Sequence, residues 1–305
     1  MHIMRLKNTG QNAMKIKYRR LKYLMRSLSN IGQKRYCPYC KGTNLKRIDH
    51  KFFITSLFKC EDCHLNHRHP KDSPKWLKKF YQNEYKIENG AHMVTDLPSD
   101  ERIEILKKEA FKSLKNFDPY IDSLFNSRAI KIVDYGCSWG YNVFRLQKSG
   151  YTAIGYEVSE PRAKFGREKL GIQIHTKESA VPGDQDLFFS SHVIEHLADL
   201  SKFIDYSKTR MKKDGVFMAF CPCGNQEYRN REPDVWHGTW GDIHVNLIDV
   251  EFAKEVFKNN PYLILSGDWV FNPREIEAWD GKSQKVGDKL DGKELLIISK
   301  PNRTI

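Results

Sequence analysis

The stretch AIKIVDYGCSWGYNVFRLQKSGYTAIGYE, residues 129–157, decides the fold. Its opening, Ala129-Ile-Lys-Ile-Val133, is the short β-branched run that a buried parallel strand uses. The run stops at Asp134-Tyr-Gly-Cys-Ser-Trp-Gly140, where two glycines permit a tight turn and close approach of a ligand to bare backbone. A helix is expected over 141–148, with Gly150 in the usual post-helix position. Residues 151–156 make a second strand that closes on Glu157. A glycine turn at one strand end and a carboxylate at the next is how a doubly wound sheet holds a nucleoside. Backbone amides meet one part of the ligand, and the acid accepts from ribose hydroxyls. Alone, such a turn also fits a dinucleotide enzyme.

The downstream segments narrow the choice. Asp186-Leu-Phe-Phe-Ser-Ser191 reads as an apolar strand closing on His192-Val-Ile-Glu195-His196. Residues 211–215 read as a turn, followed by the strand Val216-Phe-Met-Ala-Phe220. In order and spacing these segments resemble the class I S-adenosylmethionine-dependent methyltransferases. The resemblance implies an α/β, Rossmann-like class I methyltransferase sheet whose glycine turn faces the methionine end of S-adenosylmethionine. It carries Asp134, Gly136, Ser138, Gly140 and Glu157 over as cofactor-binding residues, Ser138 standing where the family usually has a third glycine.

Charge is unevenly placed. Thirteen of the 51 Lys and Arg precede residue 49, with no acid among them; the rest of the chain holds 38 of each sign. The body is therefore neutral, and the excess sits in an N-terminal arm, residues 1–35, and the first cysteine knuckle after it. Its basic-apolar alternation suits a helix lying on an anionic membrane surface or gripping phosphates. Without a basic groove across the body, nucleic acid is the less favoured partner. No apolar run reaches the roughly 18 residues of a membrane span, so the expected location is cytoplasmic, peripheral at a membrane if the arm docks.

Cys37-Pro-Tyr-Cys40 and Cys60-Glu-Asp-Cys63 have zinc-ribbon spacing. Two thiolates from each knuckle would close a tetrahedral structural Zn²⁺ site. His64, His67 and His69 are expected to face solvent or substrate. With the Tyr-rich segment around Tyr81 and Tyr85, the ribbon (36–72) and linker (73–98) resemble a methyltransferase subgroup associated with modifying sugars. There, Tyr81 and Tyr85 would cover the cofactor as a lid over the 99–305 domain.

At the reacting end His192, Glu195 and His196 are spaced i, i+3, i+4, which predicts one helical face. His244 would arrive from an insert over 221–248. The set is similar to the Glu-x-x-Glu-His runs that bind a divalent ion in some ubiquinone-pathway and small-RNA O-methyltransferases. Two readings stay open: a histidine general base, or a catalytic Mg²⁺ or Mn²⁺. The leading function is O-methylation of a sugar or glycan acceptor. RNA methylation and a non-catalytic scaffold are the alternatives.

Overall fold

The runs 132–133, 187–189, 216–221 and 295–298 offer water no polar face, and all four lie in inner strands of one sheet. The computed structural model describes residues 20–84, 97–109 and 111–301. In chain order its strands are β1 (Leu45–Lys51), β2 (Thr55–Cys60), β3 (Asn66–His69), β4 (Lys131–Tyr135), β5 (Thr152–Tyr156) and β6 (Ile174–His175). There follow β7 (Gln185–Ser191), β8 (Met211–Pro222), β9 (Asn246–Leu247), β10 (Tyr262–Gly267), β11 (Gln284–Val286) and β12 (Glu294–Ser299).

The larger sheet has the order β11-β10-β12-β8-β7-β4-β5-β6. It is parallel except where β12 pairs with β8 and β10. From β4 the chain winds outward through β5 and β6, then returns to the other side at β7. That reversal makes the carboxyl ends of β4 and β7 the crevice where an open sheet binds ligands. Gly136 leaves one lip and His192 the other.

The ribbon is not a separate module. Its sheet has the order β1-β2-β3-β9, and β9 belongs to the insert: Asn66 faces Leu247 and His67 faces Asn246. Nor has it a core of its own, since Leu57, Cys60 and Leu65 share one buried cluster with Phe188, Phe217 and Trp236. The insert folds as two short helices, Gln226–Arg231 and Pro233–Thr239, anchored by buried Trp236 and Trp240. Each large aromatic buries about 150–250 Å², worth about 4–6 kcal/mol at ~25 cal/mol per Å².

The helix capped by Ser99, whose Oγ accepts from Arg102 N–H at 3.2 Å, spans Asp100–Lys108. Phe111 takes a left-handed φ of 57° and turns into the core against Phe144 and Trp139, which diverts the chain. Residues 212–215 are an excursion at the start of β8, because Gln185 pairs with Met211 and Leu187 with Val216. The segment 281–292 contributes β11, an edge strand parallel to β10. At the opposite edge β6 has only two residues, Ile174 and His175.

The arm falls largely outside the described residues. Its described end, residues 20–28, is helical. Tyr23 and Ser27 are buried, while Leu21, Met25 and Leu28 are exposed. Tyr23 Oη donates to Thr55 Oγ1 at 2.8 Å, tying the helix to the ribbon.

Candidate active site and metal-ligand clusters

The turn after β4 bends through left-handed residues at Gly136, Ser138 and Gly140. A Cβ on Gly136 would lie 2.3 Å from Val193 Cγ2, and one on Gly140 2.3 Å from Ile172 Cδ1. Gly140 is thus also required by close packing, since the same Cβ would lie 2.9 Å from Ile174 Cδ1. Ser138 holds a glycine-like φ of 55°, and its hydroxyl accepts from Arg162 Nη1 at 2.8 Å.

Glu157 is buried at the end of β5. Oε2 accepts from Ser138 N–H at 3.0 Å and Oε1 from Ser159 N–H at 2.8 Å. A carboxylate has about four acceptor positions, so two remain for the paired hydroxyls of a ribose. Burial raises its pKa, opposed by those backbone donors and Arg162. Asp134, wholly buried, accepts from Asn142 Nδ2 at 3.0 Å, and burial pushes it up to about 7. It braces the start of the helix that follows the turn. The linker reaches this site: Gln82 Nε2 donates to Val158 O at 2.6 Å, and Gln82 Oε1 accepts from Glu160 N–H. Tyr81 lies in the same π-helical turn (Phe80–Glu84), its ring against Phe80. Tyr85 lies outside the described residues.

At the end of β7 the expected α-helical face does not form. His192 has a left-handed φ of 55°, and only Ile194–His196 are helical, as one 3₁₀ turn. Three residues per turn still bring positions i and i+3 together: His192 Nδ1 lies 3.3 Å from Glu195 Oε1. His192 Nε2 meets Glu294 Oε1 at 2.8 Å, and Lys115 Nζ donates to both Glu294 oxygens, at 2.8 and 2.6 Å. Burial opposes charge on His192, but the Glu195 and Glu294 carboxylates outweigh it and push it up to about 9. At neutral pH it is an imidazolium between two acids.

His196 differs. Its Nδ1–H donates to Ile243 O at 3.1 Å, leaving the Nε2 lone pair 3.8 Å from Glu195 Oε1. Burial pushes its pKa down to about 4, against the pull of Glu195. His244 Nδ1–H likewise donates to a carbonyl, Thr239 O at 2.6 Å, and its ring packs edge-on to His196 at 4.7 Å. Glu195 is 1 % exposed, and neither of its carboxylate oxygens has a hydrogen-bond partner among the described residues. Burial would raise it; His192 and its neighbours hold it at about 2. Ligand atoms of Glu195, His196 and His244 lie within 4.8 Å of one another. A buried carboxylate, ion-paired to His192 at 3.3 Å, beside two imidazoles each fixed through Nδ1 by a backbone carbonyl, is an arrangement that metal-ligating histidines use.

The four thiols converge as closely. All four Sγ atoms lie within 4.8 Å, with Cys37–Cys63 and Cys40–Cys60 at 3.5 Å. Tetrahedral bonds of roughly 2.3 Å imply sulfur separations of about 3.8 Å. Backbone N–H groups of Tyr39 and Gly42 point at Cys37 and Cys40 Sγ, both at 3.4 Å, as donors to thiolates would.

Other residues fall elsewhere than expected. His67 and His69 are buried, and burial pushes them down to about 3 and about 4. His67 lines a narrow cleft with Lys71, Leu197 and Asn246. His237 Nδ1 and Trp240 Nε1 both meet Asp49 Oδ2, at 2.7 and 2.9 Å, so they hold the ribbon. Sequence reading missed Lys115, Glu294 and Trp269. Trp269, 48 % exposed with a φ of 69°, stacks on His192 at 5.7 Å. The only trace of Glu294 was an acid heading an apolar run.

A sheet in this order, with a glycine turn and a buried acid at its switch point, defines the class I methyltransferase fold. A family model described as a methyltransferase domain matches residues 104–266, over half the chain, and the chain belongs to that family. It is 26 % identical over 137 residues to a ubiquinone biosynthesis O-methyltransferase of Dinoroseobacter shibae, covering 42 % of this chain and 52 % of that protein. It is 26 % identical over 98 residues to the Paramagnetospirillum magneticum protein of that name, covering 30 % and 39 %. The chain thus spans about half or less of the length of these relatives. A solved structure, geranyl diphosphate C-methyltransferase from Streptomyces coelicolor A3(2), is 15 % identical with a TM-score of 0.46, covering 75 % of this chain and 98 % of that one.

Proposed function

We propose that this protein transfers a methyl group from S-adenosylmethionine to a ring hydroxyl, with a divalent cation held by Glu195, His196 and His244. The observation that carries this reading is the cluster itself: ligand atoms of Glu195, His196 and His244 lie within 4.8 Å of one another, and both imidazoles are fixed through Nδ1 by backbone carbonyls. When bound, S-adenosylmethionine supplies an electrophilic methyl group, and the cation supplies charge that eases deprotonation of a hydroxyl. Two nitrogen donors favour Mn²⁺ over Mg²⁺, which prefers oxygen. The chain's own groups do the rest. Glu157 orients the ribose, the Ile243 and Thr239 carbonyls keep both Nε2 lone pairs inward, and His192 holds Glu195 ionised.

For the acceptor we propose a sugar. The exposed face of Trp269 beside His192 suits a flat apolar sugar face, as it would an aromatic ring. A phenolic acceptor is the second reading, favoured by the ubiquinone-pathway relatives. Incubation with methyl-labelled cofactor and fractionated cell extract tests both. Label in glycan or glycolipid supports the first, label in a lipid-soluble phenol the second, and label in RNA would overturn both.

We propose further that the four thiolates hold one structural zinc. Metal analysis of purified protein is expected to give about one zinc per chain; less than about half, with the ribbon folded, excludes the closed site. Cys60→Ser is expected to loosen the ribbon yet leave S-adenosylhomocysteine binding in place, because the thiols lie outside the β4–β5 crevice.

The arm supports an anionic lipid surface as partner. Leu21, Met25 and Leu28, at i, i+4 and i+7, are exposed, as is Phe53 at the β1–β2 tip, 97 %, in a region whose first acid is Asp49. Co-sedimentation with phosphatidylserine vesicles is expected, weakening with salt and absent with neutral vesicles. No sedimentation at low salt rejects it.

A further inference from the structure

The loop that carries His244 is gripped by cations from the ribbon side. Its carbonyls are taken in turn. Trp240 O accepts from Lys51 Nζ at the end of β1. Gly241 O accepts from Arg68 Nη1 at 2.9 Å, and Asp242 O from the same nitrogen at 3.0 Å. Arg26 Nη2, from the 20–28 helix, donates to Asp242 O at 2.8 Å and to Asp242 Oδ1 at 2.9 Å. The next carbonyl, Ile243 O, accepts from His196 Nδ1, and the next residue is His244. Behind the clamp Asp72 pairs with both Arg26 Nε, at 2.6 Å, and Arg68 Nη2, at 2.7 Å. The Arg26 guanidinium also lies 3.9 Å from the Trp76 ring centroid.

A turn at a protein surface normally gives its carbonyls to water. Here three successive carbonyls are held by charged donors on three separate elements, and the Arg68 side chain is 0 % exposed. A fully buried guanidinium is costly to maintain unless it is paired; here Nη1 and Nη2 are paired, and Nε has no hydrogen-bond partner among the described residues. We propose that Arg68, with Lys51 and Arg26, is a positioning residue for the reacting site. By fixing the carbonyls of 240–242 it sets the direction of Ile243 O, which fixes the His196 tautomer, and delivers His244 beside Glu195. The ribbon then serves as the jig on which the acceptor side of the site is assembled. The proposal rests on the reading of Glu195, His196 and His244 as a ligand set.

The test uses the full zinc-loaded chain, with Mn²⁺ alone as probe, in Arg68→Lys and Lys51→Met. Lysine keeps the charge but cannot serve both carbonyls and Asp72; Lys51→Met leaves no buried charge and guards against a variant that fails to fold. Both are expected to weaken Mn²⁺ binding by about 10–100-fold, the usual loss for a group that orients a ligand. In ¹⁵N spectra the His196 ring is expected to pass from one tautomer to a mixture, while the melting shift from S-adenosylhomocysteine persists. Wild-type Mn²⁺ affinity and His196 spectrum in both variants overturn the proposal. So does loss of the cofactor shift in step with Mn²⁺ binding, which makes the clamp ordinary scaffolding. If the unaltered protein binds no Mn²⁺, the ligand-set reading has failed, and the His196 tautomer decides on the clamp by itself.

Discussion

Glu195→Gln is expected to lower methyl transfer by roughly 10²–10⁴-fold, because it removes the anionic ligand of the cation that eases deprotonation of the acceptor hydroxyl. It should leave the fold intact. The substitution is nearly isosteric, and His192 keeps Glu294 as partner at 2.8 Å. His196→Ala is expected to match it, because both act through one site and such losses do not add. EDTA should abolish wild-type activity, with Mn²⁺ restoring it better than Mg²⁺. Restoration is the deciding half, since a chelator can also reach the ribbon. The pH profile separates the two mechanisms. With His196 pushed down to about 4 it stays neutral through the physiological range, so activity should not fall until pH drops toward 4. At the alkaline end His192 loses its proton as pH rises through about 9, freeing Glu195 and Glu294 to repel each other. A rate that instead climbs through pH 6.5 and ignores EDTA would install a simple histidine base.

Glu157→Ala is expected to remove the melting shift produced by S-adenosylmethionine and S-adenosylhomocysteine. Each hydrogen bond to a carboxylate is worth about 1.5–3 kcal/mol, so losing two raises Kd by ~10² or more. A ligand at about 100 times Kd stabilises the native state by ~2.7 kcal/mol. In the variant the same concentration sits near or below Kd, and nearly all of that gain disappears. The shift, not the starting melting temperature, is the measure, because Glu157 also caps Ser138 and Ser159. A shift produced by nicotinamide nucleotides in the unaltered protein would contradict the methyltransferase reading.

The central sheet was legible because its strands are continuous apolar runs bounded by glycine or acid, and that signal is local. The 141–148 helix was bracketed by Gly140 and Gly150 for the same reason. His192, Glu195 and His196 were legible as a group through their spacing, although the geometry behind it is a left-handed residue and a 3₁₀ turn, not an α-helical face. Partners from far along the chain were not legible. Glu294 reaches His192 across 102 residues, and Lys115 arrives from a segment read as helix. Arg68 was one of 38 cations in the neutral body, and no composition count tells a buried guanidinium from a solvated one. His67 and His69 looked exposed for the same reason.

The pairing of β3 with β9 has a consequence for how the chain is made. The ribbon's thiols and first three strands leave the ribosome early, but the strand that completes their sheet lies 179 residues beyond His67, at Asn246. Until then β3 presents an open edge and the Arg68 side chain lacks the carbonyls of Gly241 and Asp242. Contacts of such long range close late, and a nascent chain exposes them meanwhile to mispairing. A metal bound early at the knuckles would shorten the disordered length and hold that edge in register. The boundary at residue 72, clear in the order of the letters, therefore does not mark a piece that can be exchanged between proteins. Ribbon and insert must be inherited together.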